Sequence, residues 1–169
     1  FGPGKKFTWE AWVKAPPTGH DDGGAVITKG SGGGGEQFAC DIVSGTYRFF
    51  CWDGGNPNTP VVAQSAVAPN NTWQHLTGVF DQAQGIMKLY VNGVQAATTT
   101  PRPTLLSNTH EVSVGARQNS GSGGYDLNMT GTVDEVALYP RALTPAEITA
   151  HYNAAFAAGP AGHDTADAV

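Results

Sequence analysis

The chain has 169 residues, enough for one domain with a sizeable core, and holds 23 Gly and 11 Pro with only 14% charged residues. That balance suits an all-β domain with many turns and counts against a helical one. A formal net charge of -5 without a Lys/Arg cluster argues against a nucleic-acid partner or an anionic membrane surface, and no apolar run is long enough for a transmembrane helix.

Along the chain, Phe7–Val13 alternates, with Phe7, Trp9, Ala11 and Val13 on one face. A polar loop, Pro16–Gly24, leads to a strand over Ala25–Lys29, and Gly30-Ser31-Gly32-Gly33-Gly34-Gly35 follows as a flexible loop. That glycine run lacks the Gly-Lys-Ser/Thr ending and the following helix of a phosphate cradle. Gln37–Val43 and Tyr47–Trp52 read as a hairpin. A tight turn centred on Gly45-Thr46 would set Cys40 opposite Cys51, as a cross-strand disulfide in an oxidising compartment; the alternative is two buried free thiols. Asp53–Pro60 is a Gly/Asn/Pro loop and Val61–Val67 a strand. Trp73–Phe80, Ile86–Val91 and Val94–Thr98 form a meander whose last turn is Asn92-Gly93. Glu111–Ala116 is a strand, and a long loop runs from Arg117 to Asn128.

Thr132–Tyr139 alternates as a strand and feeds a short helix. Thr144 is its N-cap, Pro145 takes the first helical position, and Glu147 can close a capping box. Ile148, Tyr152 and Ala155 share a face that would lie on the sandwich. Residues 1–156 form the domain, and residues 157–169 read as a linker or frayed tail. About eleven short strands at this spacing indicate an all-β, two-sheet antiparallel jelly-roll sandwich with one short C-terminal helix. If every connection reverses direction, the loops near 14–24, 44–46, 68–72, 92–93 and 117–129 share one end. Those near 30–35, 53–60, 81–85 and 99–110 share the other.

Phe7-Thr8-Trp9-Glu10-Ala11-Trp12-Val13, Ile27-Thr28-Lys29-Gly30, Trp73-Gln74-His75-Leu76, Lys88–Gly93, Val114-Gly115 and the run from Gly131 through Arg141-Ala142-Leu143 to Ile148 resemble the laminin-G-like (concanavalin A-like jelly-roll) domain family of bacterial secreted proteins. The resemblance covers roughly residues 7–153 in order. It implies two antiparallel sheets packed face to face, one of them curved. Members appended to glycosidases and lyases often bind sugars, others mediate adhesion or space catalytic domains, and many bind calcium at a sheet rim. Members usually carry one more strand before the first quoted piece. Here only Phe1–Lys6 precedes it: either the chain is a fragment of a longer protein or the strand is supplied otherwise, and an unpaired edge beside Val133–Tyr139 would be a pairing site.

The first rim gathers His20, Asp21, Asp22, Arg117, Asn119, Tyr125, Asp126 and Asn128. Carboxylates, amides and an aromatic ring on loops can bind calcium and a sugar together. Asp21 and Asp22 are candidate calcium ligands, and the resemblance suggests Asp134 as a third; it can equally accept loop hydrogen bonds. The second rim carries Trp52, Asp53, Asn56 and Asn58, with Trp52 as a rival stacking platform. Tyr125 is preferred because its loop is longer and richer in polar groups.

Trp9, Trp12 and Trp73 read as core, His75 as a satisfied structural histidine, and Arg141 as a local partner near the helix start. No strand offers two carboxylates at i, i+2 for glycoside hydrolysis, and no Ser- or metal-based hydrolase motif appears. The expectation is a non-catalytic, extracellular carbohydrate-binding or adhesion module, part of a larger secreted protein. Its partners would be a polysaccharide or glycan, or an extracellular protein. The alternative is a structural or protein-interaction module without a small ligand.

Overall fold

The computed structural model describes residues 6–53, 56–99, 105–121 and 123–157, without the side chains of 56–58 and 157. Asn56, Asn58 and the proposed tail after residue 157 therefore lie outside the described side chains and residues. A five-stranded sheet has the order β12 (Thr132–Tyr139), β1 (Lys6–Lys14), β6 (Trp73–Asp81), β7 (Ile86–Val91), β8 (Val94–Thr99). The seven-stranded sheet runs β11 (Tyr125–Asp126), β10 (Arg117–Gln118), β2 (Gly24–Ser31), β3 (Gly35–Val43), β4 (Thr46–Asp53), β5 (Asn56–Gln64), with β9 (Val112–Val114) also on β2. A single helix, α1 (Pro145–Ala157), follows β12. The expected sandwich with one C-terminal helix is the fold of this chain.

The core is aromatic and joins both sheets. Phe7 and Trp9 alternate inward from β1, fully buried. Phe7 meets Phe38 at 4.8 Å and Phe80 at 5.1 Å, and Trp9 meets Phe49 edge-on at 5.6 Å. Each such pair adds roughly 0.5–1.5 kcal/mol beyond burial. Trp9 fits because its cross-strand partner is Gly78, where a Cβ would stand 2.1 Å from the indole nitrogen. A buried Tyr47 hydroxyl donates to Gln74 Oε1 at 2.9 Å and ties β4 to β6.

The cysteine hairpin corrects the disulfide expectation. Val43 pairs with Thr46 across Ser44-Gly45, so Cys40 faces Phe49 while Cys51 pairs with Val61 on the other side. The turn needs positive φ at both central residues. Ser44 (49°) and Gly45 (76°) supply it, whereas β-branched Thr46 disfavours it. Both thiols are free and fully buried, and burial pushes each pKa well up.

Three further outcomes shape the surface. Asn92 (52°) and Gly93 (76°) form the expected hairpin turn. The alternation over β12 is broken by a bulge opposite Ala11, where register shifts between Glu10↔Ala137 and Trp12↔Asp134. Glu135 sits there at φ 48°. Val133 packs on the sandwich core but Tyr139 packs on the helix side, so the bulge exchanges the strand's faces. Among the described residues β12 is the outer strand of its sheet, with Val136 38% and Leu138 40% exposed.

Candidate functional site

The reversal expected of each connection holds through β9, β10 and β11, but the segment expected as one long loop from Arg117 to Asn128 contains the short strands β10 and β11. The chain runs antiparallel along β2, turns at Gly115 (φ 76°), and β10 then runs parallel to β2 with Gln118 at Ser31. The segment after it returns along the β2 edge, where Ala25 N–H donates to Leu127 O at 2.8 Å. The residues assigned to one rim therefore divide between two places.

Arg117, Asn119, Tyr125 and Asp126 lie beside the β2–β3 turn. Gly32 N–H donates to Gln118 O at 2.9 Å. A Cβ on Gly32 would stand 2.8 Å from the Arg117 guanidinium carbon, and one on Gly34 would stand 3.6 Å from the Trp52 ring. The glycine run is thus a thin partition with Arg117 on one side and Trp52 on the other. Trp52 and Tyr125 belong to one end of the sandwich, not to opposite ends.

Arg117 is the hub. Its Nε and Nη2 donate to the two Asp126 oxygens at 2.9 and 3.0 Å, and its Nη1 donates to Glu36 Oε1 at 2.8 Å. Asn119 Nδ2 adds a bond to Asp126 Oδ2 at 2.8 Å. The Arg117 hydrogen bonds hold the Asp126 carboxyl below its usual range, and the same bonds raise the guanidinium. Tyr125, next to Asp126 on β11 and paired with Gln118, is 60% exposed. Glu36 Oε2, Trp52 Nε1 and Gln118 Oε1 are buried polar atoms with no partner among the described residues.

A second clamp lies along the same outer face. Arg48, Phe50 and Trp52 alternate with the core residues Tyr47, Phe49 and Cys51. Arg48 Nε and Nη2 donate to the two Asp41 oxygens at 2.9 and 2.5 Å, and its guanidinium lies 4.7 Å over the Phe50 ring. Burial nevertheless raises the Asp41 pKa, against the pull of Arg48; Asp22 and Glu36 add to the rise. This face offers fixed guanidinium and carboxylate groups beside aromatic edges, a surface that can meet hydroxyl groups with hydrogen bonds and a ring face with a π-system.

The other candidates lie elsewhere. His20 uses both ring nitrogens: Nδ1 accepts from Thr130 N–H at 3.1 Å, so Nε2 donates to Pro16 O at 2.7 Å. Asp21 Oδ2 accepts from Asn128 N–H at 2.9 Å, and Asp22 Oδ1 accepts from Ser44 N–H at 3.1 Å. Asp134 Oδ1 accepts from Glu135 N–H at 2.7 Å, in the other sheet. Among the described residues no three His, Cys, Asp or Glu side chains gather as a metal ion requires. Asp21, Asp22 and Asp134 are therefore not one ligand set.

Sequence reasoning missed Glu36, Asp41 and Arg48. For Asp41 and Arg48 the signal was present, as charged residues alternating with buried apolar ones inside β3 and β4; Glu36 shares the parity of core Phe38 and Cys40, and the register shift that separates it from them leaves no local sign. His75 departs from its expected role, because its buried Nδ1 has no partner among the described residues.

Two sheets packed face to face around an aromatic core, with one C-terminal helix, make a concanavalin A-like sandwich. Residues 1–149 match the Laminin_G_3 family, described as the concanavalin A-like lectin/glucanases superfamily, and the chain belongs to it. No curated protein sequence matches the chain. Among solved structures, it is similar to the CBM40 of Ruminococcus gnavus IT-sialidase (16% identity, TM-score 0.69, covering 89% of this chain and 84% of that one), a domain also seen bound to α2,3-sialyllactose. It is similar to domain 4 of AbnA, a GH43 extracellular arabinanase from Geobacillus stearothermophilus in complex with arabinotriose (18%, TM-score 0.61, 89% and 67%). A Bacteroides ovatus protein (18%, TM-score 0.65) is matched over 87% of this chain and only 40% of its own length. Among the described residues, no helix is long and apolar enough to cross a membrane.

Proposed function

We propose that this domain is a non-catalytic carbohydrate-binding module of an exported protein. Its glycan site is the end of the seven-stranded sheet where Tyr125, Trp52 and the Arg117 clamp meet. One observation carries the reading: the glycine partition brings two aromatic side chains and a fixed Arg–carboxylate network to the same end. The likeness to domains that hold arabinotriose and sialyllactose supports it. The carboxylates speak against hydrolysis. Asp126 and Asp41 are each held by an arginine through both oxygens, and Glu36 by Arg117 through one. Neither clamp has the two separate acid and base roles that glycoside hydrolysis needs.

Glycan-array and insoluble-polysaccharide retention assays test the proposal. Tyr125→Ala should lose retention while stability changes by less than about 0.5 kcal/mol, as for an exposed surface side chain. Wild-type protein that binds no plant, algal or microbial glycan would move the reading to a structural module.

Calcium is a separate part of the proposal. An ion beside Asp21 and Asp22 would need backbone carbonyls to complete its oxygen shell. Both side chains are exposed, and each has one oxygen tied to a backbone N–H. A melting temperature that rises from chelator to millimolar calcium supports the ion, and an unchanged curve removes it.

A further inference from the structure

A second polar site lies between α1 and the outer face of the five-stranded sheet. A pocket of about 240 Å³ opens there, lined by Glu10, Trp12, His75, Glu135, Tyr139 and His151. Glu10, 4% exposed, is bonded from several sides. His151 Nδ1 stands 2.9 and 3.2 Å from its two oxygens, Thr77 Oγ1 donates at 3.4 Å, and the Tyr139 hydroxyl also bonds to it. His75, also 4% exposed, turns Nε2 toward Glu10 Oε1 at 3.9 Å. The carboxylate favours the proton on Nε2, which leaves the unpartnered Nδ1 as an acceptor. Burial lowers the His75 pKa and keeps the ring neutral. Glu135 is exposed, and the bulge sets it on the pocket wall.

The lining selects by charge and size. It contains two carboxylates and neither lysine nor arginine, so an anion is repelled. Nearby Arg141 is paired with Glu147 at 2.7 Å. A bare metal ion needs converging ligands, and no such group exists among the described residues. Acceptors dominate, because the Tyr139 hydroxyl and His151 Nδ1 are already turned to Glu10. Trp12 and Tyr139 add aromatic walls, the Trp12 ring being held against His75 and Tyr152. A donor-bearing organic cation satisfies all of these conditions. We propose that this pocket binds a small organic ammonium ion, with Glu135 as its charge partner and the Trp12 and Tyr139 rings as its walls. The inference does not rest on the glycan reading, which concerns the other sheet.

The experiment follows the His75 and His151 imidazole signals by NMR during titration with propylammonium chloride or glucosamine hydrochloride. Sodium chloride at matched ionic strength and glucose are the controls. The expected result is a saturable shift with an ammonium compound and none with either control. Glu135→Gln should weaken binding about tenfold, the loss of one charge-assisted hydrogen bond. Ala154→Leu, on the helix side of the pocket, should block binding with the melting temperature retained. Tyr125→Ala should bind like wild type. A response to both ammonium compounds supports recognition of the ammonium group alone, and a response to glucosamine alone supports a cationic sugar. No saturable shift, an equal response to glucose or sodium chloride, or unchanged affinity in Glu135→Gln overturns the proposal.

Discussion

Both outer faces of the sandwich carry buried charged side chains, but the two faces handle them differently. On the seven-stranded sheet, guanidinium forks hold the carboxylates: Arg48 on Asp41, and Arg117 on Asp126 and Glu36. On the five-stranded sheet, α1 covers part of the face, and Glu10 is held by hydroxyls and imidazoles. Ile148 is fully buried there and Tyr152 stacks on Trp12 at 5.9 Å. An arginine clamp fixes charge and geometry at every ordinary pH, because the guanidinium does not titrate. Imidazoles and hydroxyls hold Glu10 without a permanent cation, and the buried His75, whose pKa burial lowers, is the pH-dependent member. The first arrangement suits a rigid recognition surface, and the second suits a site that responds to its ligand.

The largest expected effect tests the rigid face. Arg117→Ala leaves Glu36, 2% exposed, as a buried carboxylate without its cation. Removing one partner of a buried pair costs about 3–5 kcal/mol. Urea unfolding should show that loss, and adding Glu36→Gln should recover part of it. Glu10→Gln on the other face removes a charge but keeps an amide able to bond Thr77 and Tyr139, so it should cost less, about 1–3 kcal/mol. Equal losses for Arg117→Ala and Glu10→Gln would erase the distinction between the faces.

pH separates them next. The His75 pKa is lowered by burial, so the unfolded chain takes up this proton more readily than the folded one. The stability it contributes is present above the unfolded value, about 6.5, and is lost as pH falls from there toward the folded value. Asp126 is lowered chiefly by Arg117, so its contribution persists until pH falls below about 3.9 toward its folded value. Asp41, raised by burial, has the opposite sign and offsets part of that acid loss. Thermal melts should thus show a first decline below about pH 6.5 that His75→Gln abolishes. A decline unchanged in His75→Gln would assign it to another histidine.

What was legible in the sequence followed from local chemistry. The strands of the cysteine hairpin and the meander, the Asn92-Gly93 turn and the capped helix each carry their own signal within a few residues. Long-range register was not legible. Cys40 and Cys51 lost their pairing because the turn is centred on Ser44-Gly45, one position earlier than expected. Trp52 and Tyr125 were assigned to opposite ends because nothing local marks the parallel run of β10 beside β2. The β12 bulge is equally silent, although Glu135 itself is plain to read. Glu10 and His151 stand 141 positions apart and meet only when α1 folds back onto the sheet.

The smallest effect concerns how α1 is held over its face. Thr144 N–H donates to Glu147 Oε2 at 2.8 Å, and Glu147 N–H donates back to Thr144 Oγ1 at 3.3 Å. Arg141 first, and then Thr144, press the Glu147 pKa down to about 2. The linker before the helix is fastened as well: buried Thr8 Oγ1 donates to Arg141 O and accepts from Leu143 N–H, both at 2.9 Å. Thr144→Ala removes the cap but keeps the Thr8 tie and the Ile148 anchor, so it should cost about 1 kcal/mol, the usual value for losing such a cap. The melting temperature measures that loss. The His151 imidazole signal reports whether the helix also shifts on the sheet. A lower melting temperature with an unmoved His151 signal would mean that packing alone positions α1. If both change, the capping box at the start of the helix helps set the Glu10–His151 contact two turns further along, and the pocket beneath it.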